Sequence, residues 1–210
     1  MKKDTAMIKD AAILLIITLF SGLLLGLVYQ ITKEPIALAE ERAAKEAYSE
    51  VFPSASDYQM LENLSLDSLS EDTAWLEAGF EGVSIENVLE AQDQGGALLG
   101  YILTMTSHEG YGGDITFTMG ISNDGTLNGI SILSISETAG LGMKAEDVLK
   151  PQFADKNVPS FTYTKTGAAS DDQIDAISGA TITTKAMTKA VNGGLYFFQT
   201  QLGGGVNEAK

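Results

Sequence analysis

The chain has 210 residues, enough for one ordinary domain with a smaller helical extension and too few for two full domains. Its 13 Lys and Arg stand against 28 Asp and Glu, a formal net charge of −15 that excludes nucleic acid as a partner, since phosphate backbones attract basic surfaces. It has no cysteine and a single histidine, His108, which excludes iron–sulfur clusters, thiolate zinc sites, disulfides and thioether-attached haem, and speaks against axial haem ligation.

The chain opens on a polar segment, 1–10, with Lys2, Lys3 and Lys9 against Asp4 and Asp10. The run 11–32 holds no charged side chain and is rich in Leu and Ile. At about 1.5 Å rise per residue it is roughly 33 Å long as a helix, enough to cross a bilayer core of about 30 Å. A single transmembrane helix is predicted there. Of the 13 basic residues three precede the run, and of the 28 acidic residues two do, so ten basic residues face 26 acidic ones after it. The three leading lysines place the amino terminus in the cytoplasm and the bulk of the chain outside, although Lys33 follows closely on the other side. The competing reading is a cleaved signal peptide with Ala37-Leu38-Ala39 as its recognition site; the apolar run is longer than a usual signal core and that site lies well past its end.

Pro35 is expected to stop or kink the first helix, and 36–52 reads as a second, charged helix before Pro53. With Glu40, Glu41, Arg42, Lys45 and Glu46 it looks like a solvated stalk. Residues 54–94 are acidic and mixed in pattern; 75–81 and 83–89 are candidate strands. From Ala97 the signals sharpen. Residues 98–106 are β-rich, His108 is expected in an exposed loop, and Gly110-Tyr-Gly-Gly113 forms a glycine loop. Ile115, Phe117, Met119 and Ile121 then alternate with smaller or polar residues, the pattern of a half-buried strand. Asn123-Asp124-Gly125 is a hairpin turn, and 127–135 returns as its partner strand.

After the hairpin comes Glu137-Thr138-Ala139-Gly140-Leu141-Gly142, whose two glycines permit backbone geometry that other residues resist. A short helix is expected over 144–149, closed by Pro151, and a short strand over 174–177. Thr183 can cap a helix reaching Gln201, on which Ala186, Met187, Ala190, Val191, Gly194 and Phe198 share a face. Gly203-Gly-Gly205 ends it. Met143, Phe153 and Tyr163 read as core residues.

Between the last strand and the last helix lies Ser178-Gly179-Ala180-Thr181. A small-residue turn opening a helix concentrates unpaired N–H groups and the positive end of the helix dipole, which suits a phosphate. It lacks the lysine of a nucleotide-binding P-loop. Taken alone the tetrapeptide also fits an ordinary helix cap, as the glycine loops fit plain connections and Asp175 a turn carboxylate.

The order of Gly110-Tyr-Gly-Gly113, Asn123-Asp124-Gly125, Glu137 to Gly142 and Asp175-x-x-Ser178-Gly179-Ala180-Thr181 on one membrane-anchored chain resembles the FMN-binding G subunit of Rnf electron transport complexes. It also resembles a relative, the C subunit of the sodium-pumping NADH:quinone reductase. In that family Asp-x-x-Ser/Thr-Gly-Ala-Thr is the signal for a flavin transferase that esterifies FMN, through its phosphate, to the motif threonine. The resemblance therefore implies Thr181 as the attachment residue, Ser178, Gly179 and Ala180 beside it, and Asp175 in recognition by the transferase. It implies that Glu137, Thr138, Gly140, Leu141 and Gly142 lie along the flavin, in a loop the family usually writes with proline where Ala139 stands. Tyr111 and Gly112 are further cofactor candidates, Tyr111 either stacking near the ring or merely closing its loop. Thr183 and Thr184 are rival hydroxyls, read as caps.

The resemblance implies an α+β architecture: a cytoplasmic amino terminus (1–10), a transmembrane helix (11–32), a helical stalk (33–53), an acidic first part of an extracytoplasmic domain (54–96), the FMN-binding domain with its antiparallel hairpin and C-terminal helix (97–202), and a flexible tail (203–210). The implied function is an electron relay in a membrane ferredoxin:NAD oxidoreductase that moves sodium ions or protons. Such a relay has no complete activity alone, its partners being the complex's other membrane, iron–sulfur and flavin subunits, the transferase and the lipid bilayer. No NAD fingerprint and no ion path beyond the single span are present. Two alternatives remain: the quinone reductase component, and a membrane-anchored binding or scaffold domain without redox chemistry.

Overall fold

Exposed apolar residues dominate the first part of the chain as far as it is described. The computed structural model describes residues 2–62 and 64–203, so most of the expected tail, 204–210, lies outside it. Two units divide the chain, 1–44 and 45–210. Helix α1 (Lys2–Val51) fills the described part of the first unit, with Leu15, Leu19, Leu25 and Phe20 exposed along it. It is long and apolar enough to cross a membrane. Two hydroxyls in this stretch satisfy themselves within the helix: Thr18 Oγ1 donates to Leu14 O at 3.0 Å and Thr32 Oγ1 to Val28 O at 2.9 Å, as a segment facing hydrocarbon requires. Of the stop or kink expected at Pro35, the stop does not occur: Pro35 sits inside α1, and the second helix expected over 36–52 is the continuation of α1 to Val51. A helical proline costs about 3 kcal/mol through one lost N–H bond and a ring clash. The strong helix formers that follow, Ala37 to Ala44, offset it.

The second unit begins with the last turns of α1. Val51 and Phe52 are buried against Leu89, Ala91 and Ile102, and Ala47 is buried nearby. The expected stalk is thus solvated only in its first part. Strand glycine makes room for this contact: a Cβ on Gly120 would lie 2.9 Å from the Val51 Cβ. Polar bonds fix the same end, with Asn128 Nδ2 donating to Val51 O at 3.0 Å and Ser131 Oγ to Glu50 Oε2 at 2.5 Å.

Five strands, β1 (Asp57–Met60), β2 (Val83–Gln92), β3 (Leu98–Ser107), β4 (Ile115–Ser122) and β5 (Leu127–Ile135), pair antiparallel in chain order. The predicted hairpin is β4–β5; Ser122 N–H donates to Thr126 O at 2.9 Å, and Asp124 Oδ1 accepts the Thr126 N–H at 2.9 Å. Strand β4 was expected to be half-buried, yet Thr118 and Gly120 are covered as fully as Phe117, Met119 and Ile121. The end of α1 supplies part of the second cover. The segment 75–81 is not a strand: Trp75 lies in helix α2 (Thr73–Glu77), capped by Asp72 Oδ1, which accepts the Ala74 N–H at 2.7 Å.

Beyond the sheet, a 3-10 turn (Gly142–Lys144), helix α3 (Ala145–Val148) and a second 3-10 turn (Lys150–Phe153) replace the single helix expected there; Pro151 lies within the last turn. Strands β6 (Thr162–Thr164) and β7 (Gln173–Asp175) pair in parallel, the latter ending before the expected 177. Helix α4 (Thr181–Gln201) covers the sheet, and every one of its six predicted face residues is buried. Burial of side chains such as Met187, Val191 and Phe198 stabilises by about 1.5–3 kcal/mol each. Phe153 joins this core, whereas Met143 and Tyr163, both expected inside, are exposed on a turn and on the two-stranded ribbon.

Candidate functional site

The turn at 177–180 owes its shape to Gly179, whose φ of +81° is the left-handed value that glycine adopts without strain. Ala180 N–H donates to Ile177 O at 3.0 Å, and α4 starts at Thr181, three residues earlier than a Thr183 cap predicts. The cap position is Ala180, which offers no side-chain acceptor. The first N–H groups of α4 therefore lack both intrahelical acceptors and a side-chain cap, and they sit at the positive end of the dipole. Thr183 is not a cap; it is buried within the first turn. Thr184 does serve the turn, its Oγ1 accepting the Ile177 N–H at 3.1 Å and donating to Ala180 O at 3.0 Å. Of the three threonines only Thr181 is both half-buried and open to the space in front of the helix.

That space is a cleft of about 480 Å³, within the range of small-molecule and cofactor sites. Three distant segments form it: Tyr111; Glu137, Thr138, Leu141 and Gly142; and Gly179 to Thr183. The 137–142 loop closes by a turn in which Leu141 N–H donates to Thr138 O at 3.1 Å, with Gly140 at φ +76°. The turn forms with Ala139 in the position where the family writes proline. Gly142 admits no side chain, since a Cβ there would lie 2.6 Å from the Glu137 Cβ and 2.7 Å from Thr183 Oγ1. Leu141 leans over Gly179, 3.1 Å from where a Cβ would be. Glu137 is 8% exposed, and its Oε1 accepts the Tyr111 N–H at 2.7 Å, tying the glycine loop to the second segment.

Tyr111, Glu137, Thr138, Leu141, Gly142, Gly179, Ala180 and Thr181, all candidates from sequence, meet at this cleft. Ser178, Gly140 and Gly112 belong to the same loops without lining it. Asp175 stands apart: its Oδ1 accepts the Ala168 N–H at 2.7 Å and its own N–H donates to Gln152 Oε1 at 2.6 Å. Ile182, which the sequence reading missed, lines the cleft, and so does Thr183, which was read as a cap. A large apolar residue directly after the motif threonine was the available signal. His108 is exposed as expected, with Nδ1 3.0 Å from Asp114 Oδ1.

The cleft offers an anion seat at the helix start and an apolar rim of Tyr111, Leu141 and Ile182, exposed by 41–70%. An anion with a flat ring system fits both parts. No metal-holding cluster of His, Asp and Glu occurs among the described residues.

Comparison with known proteins adds independent findings. Residues 110–195 match the family described as "FMN-binding domain", and residues 1–51 match "RnfG N-terminal region". The G subunit of the Na+-translocating ferredoxin:NAD+ oxidoreductase complex of Acetobacterium woodii is 30% identical, over 91% of each chain. The G subunit of the ion-translocating oxidoreductase complex of Methanosarcina acetivorans is 29% identical, over 90% of this chain and 93% of its own. A solved structure, Shewanella oneidensis NqrC, aligns over 54% of this chain and 58% of its own, with 21% identity and a TM-score of 0.45.

Proposed function

This chain belongs to the G-subunit family of Rnf-type ion-translocating oxidoreductase complexes, and we propose that it is a membrane-anchored electron relay with FMN esterified through its phosphate to Thr181. FMN, when bound, supplies reversible electron transfer that no side chain of this cysteine-free chain offers. One observation carries the reading: three segments far apart in sequence converge on a cleft with the Thr181 hydroxyl at its helix start.

Each part of the chain has a task in this reading. The first N–H groups of α4 hold the negative charge that a phosphodiester keeps. Gly142 lets Glu137 and Thr183 close together in the cleft wall, Gly179 lets Leu141 lean over the turn, and Leu141, Ile182 and Tyr111 would cover the apolar part of the cofactor. Attachment answers a location problem, because a flavin held by contacts alone outside the cytoplasm is lost by dilution. The three lysines before the apolar run support a cytoplasmic amino terminus and an extracytoplasmic second unit. The exposed Asp175, beside the motif, is available to a flavin transferase. Electrons come from and pass to other members of the complex, whose reaction by the relatives' names joins ferredoxin and NAD+. The quinone reductase alternative loses ground to the match over 1–51 and to the Rnf-type relatives.

The test is production in the membrane of a host with the flavin transferase, followed by denaturing electrophoresis. The wild-type band is expected to fluoresce as a flavin, Thr181→Ala to be dark and Thr183→Ala to keep the signal. A dark wild-type band rejects covalent attachment.

A further inference from the structure

The cleft is short of positively charged side chains. Among the described residues lining it there is no Lys or Arg, and the one carboxylate is Glu137. That residue is only 8% exposed; Oε1 accepts the Tyr111 N–H, while Oε2 and Thr183 Oγ1 both lie 2.7 Å from the same point above Gly142. The acid therefore stands in the wall shared with the first turn of α4. A helix start is worth about half a positive charge, and Glu137 sets a whole negative charge into the same small space.

Resting on the flavin reading of this cleft, we infer that Glu137 makes it discriminate by phosphate charge. It accepts the singly charged phosphodiester of an attached flavin and rejects the free nucleotide, whose phosphate monoester carries about −1.5 to −2 near neutral pH. Repulsion from one buried carboxylate grows with each added unit of charge and is strengthened by the scarcity of water around it. The ester bond overrides this repulsion for the attached cofactor. Loose FMN gains no such compensation, so it neither fills the cleft of an unmodified chain nor competes with attachment.

The full chain, made without the transferase and held in detergent, is titrated with riboflavin and with FMN by flavin fluorescence. Riboflavin has the same ring without the phosphate. It is expected to bind at least about tenfold more tightly than FMN, and Glu137→Gln, which keeps an acceptor for Tyr111, to bring the two within about threefold by strengthening FMN alone. FMN binding as tightly as riboflavin to the wild type, or a ratio that Glu137→Gln leaves unmoved, overturns the inference. Riboflavin that fails to bind at millimolar concentration overturns it too, since the ring must seat without its phosphate. Should Glu137→Gln not fold, the wild-type ratio alone decides. None of these failures touches the flavin reading itself, which the fluorescence of transferase-matured protein settles separately.

Discussion

Gly120 and Gly142 both stand where no side chain fits, and their surroundings differ in kind. At Gly120 the space is taken by the end of α1: Val51 and Phe52 are buried, and their neighbours Leu89, Ala91 and Ile102 are apolar. At Gly142 the neighbours are a buried acid, Glu137, and a buried hydroxyl, Thr183, while the large apolar side chains Leu141, Ile182 and Tyr111 are exposed. The first arrangement follows the rule that apolar groups go inside. The second inverts it, and such an inversion marks a place kept for a ligand.

Substitutions can break or sharpen this contrast. Phe117→Ala, in the sheet core shared with α4, is expected to destabilise by about 3–5 kcal/mol in chemical denaturation, through lost transfer energy and a residual cavity. Gly120→Ala is next, at about 1–3 kcal/mol from overpacking against Val51, with flavin fluorescence per folded molecule unchanged. Gly142→Ala is expected to cost no more than about 1–2 kcal/mol yet to remove most of the fluorescence, because the added carbon pushes on Glu137 and Thr183. If the two glycine variants lose stability and flavin in the same proportion, the cleft is not a separate functional region.

The smallest effect concerns the ion pair at the end of α1. Burial alone raises the Glu50 carboxyl, but hydrogen bonds from Lys150 and Ser131 and the charge of Lys150 outweigh it and hold the group below its usual 4.5. A carboxyl depressed in the folded state contributes stability above its unfolded pKa and loses it as pH falls through the folded value. Glu50→Gln should therefore be less stable than the wild type near neutral pH by about 0.2–1 kcal/mol, the difference fading on acidification below 4.5. A difference that grows in acid contradicts this account of the docked helix end.

How far the sequence carried depended on how local each cause was. The β4–β5 hairpin and the buried face of α4 were legible because an Asn-Asp-Gly turn and a helical period are written in consecutive residues. Helix α2 was misread because its start depends on one Asp72 carboxylate in an acidic stretch without clear period. The start of α4 was misplaced because Ala180 caps nothing and Thr184, three residues inside the helix, reaches back to Ile177 instead. Cover on both faces of β4 and exposure of Met143 and Tyr163 follow from which element lies on which surface, information that no single segment holds. The cleft shows the same division: eight of its lining residues were named from motifs, but the bond from Tyr111 to Glu137 joins loops 26 residues apart.

The central claim is that one particular hydroxyl carries the cofactor. Trypsin cuts at Lys165 and Lys185, and the peptide between them holds Thr166, Thr181, Thr183 and Thr184 together. Fragmentation of that peptide from transferase-matured membranes should place the full FMN mass increment on Thr181. An increment on Thr183 or Thr184, or an unmodified peptide from protein that has met an active transferase, would contradict the account.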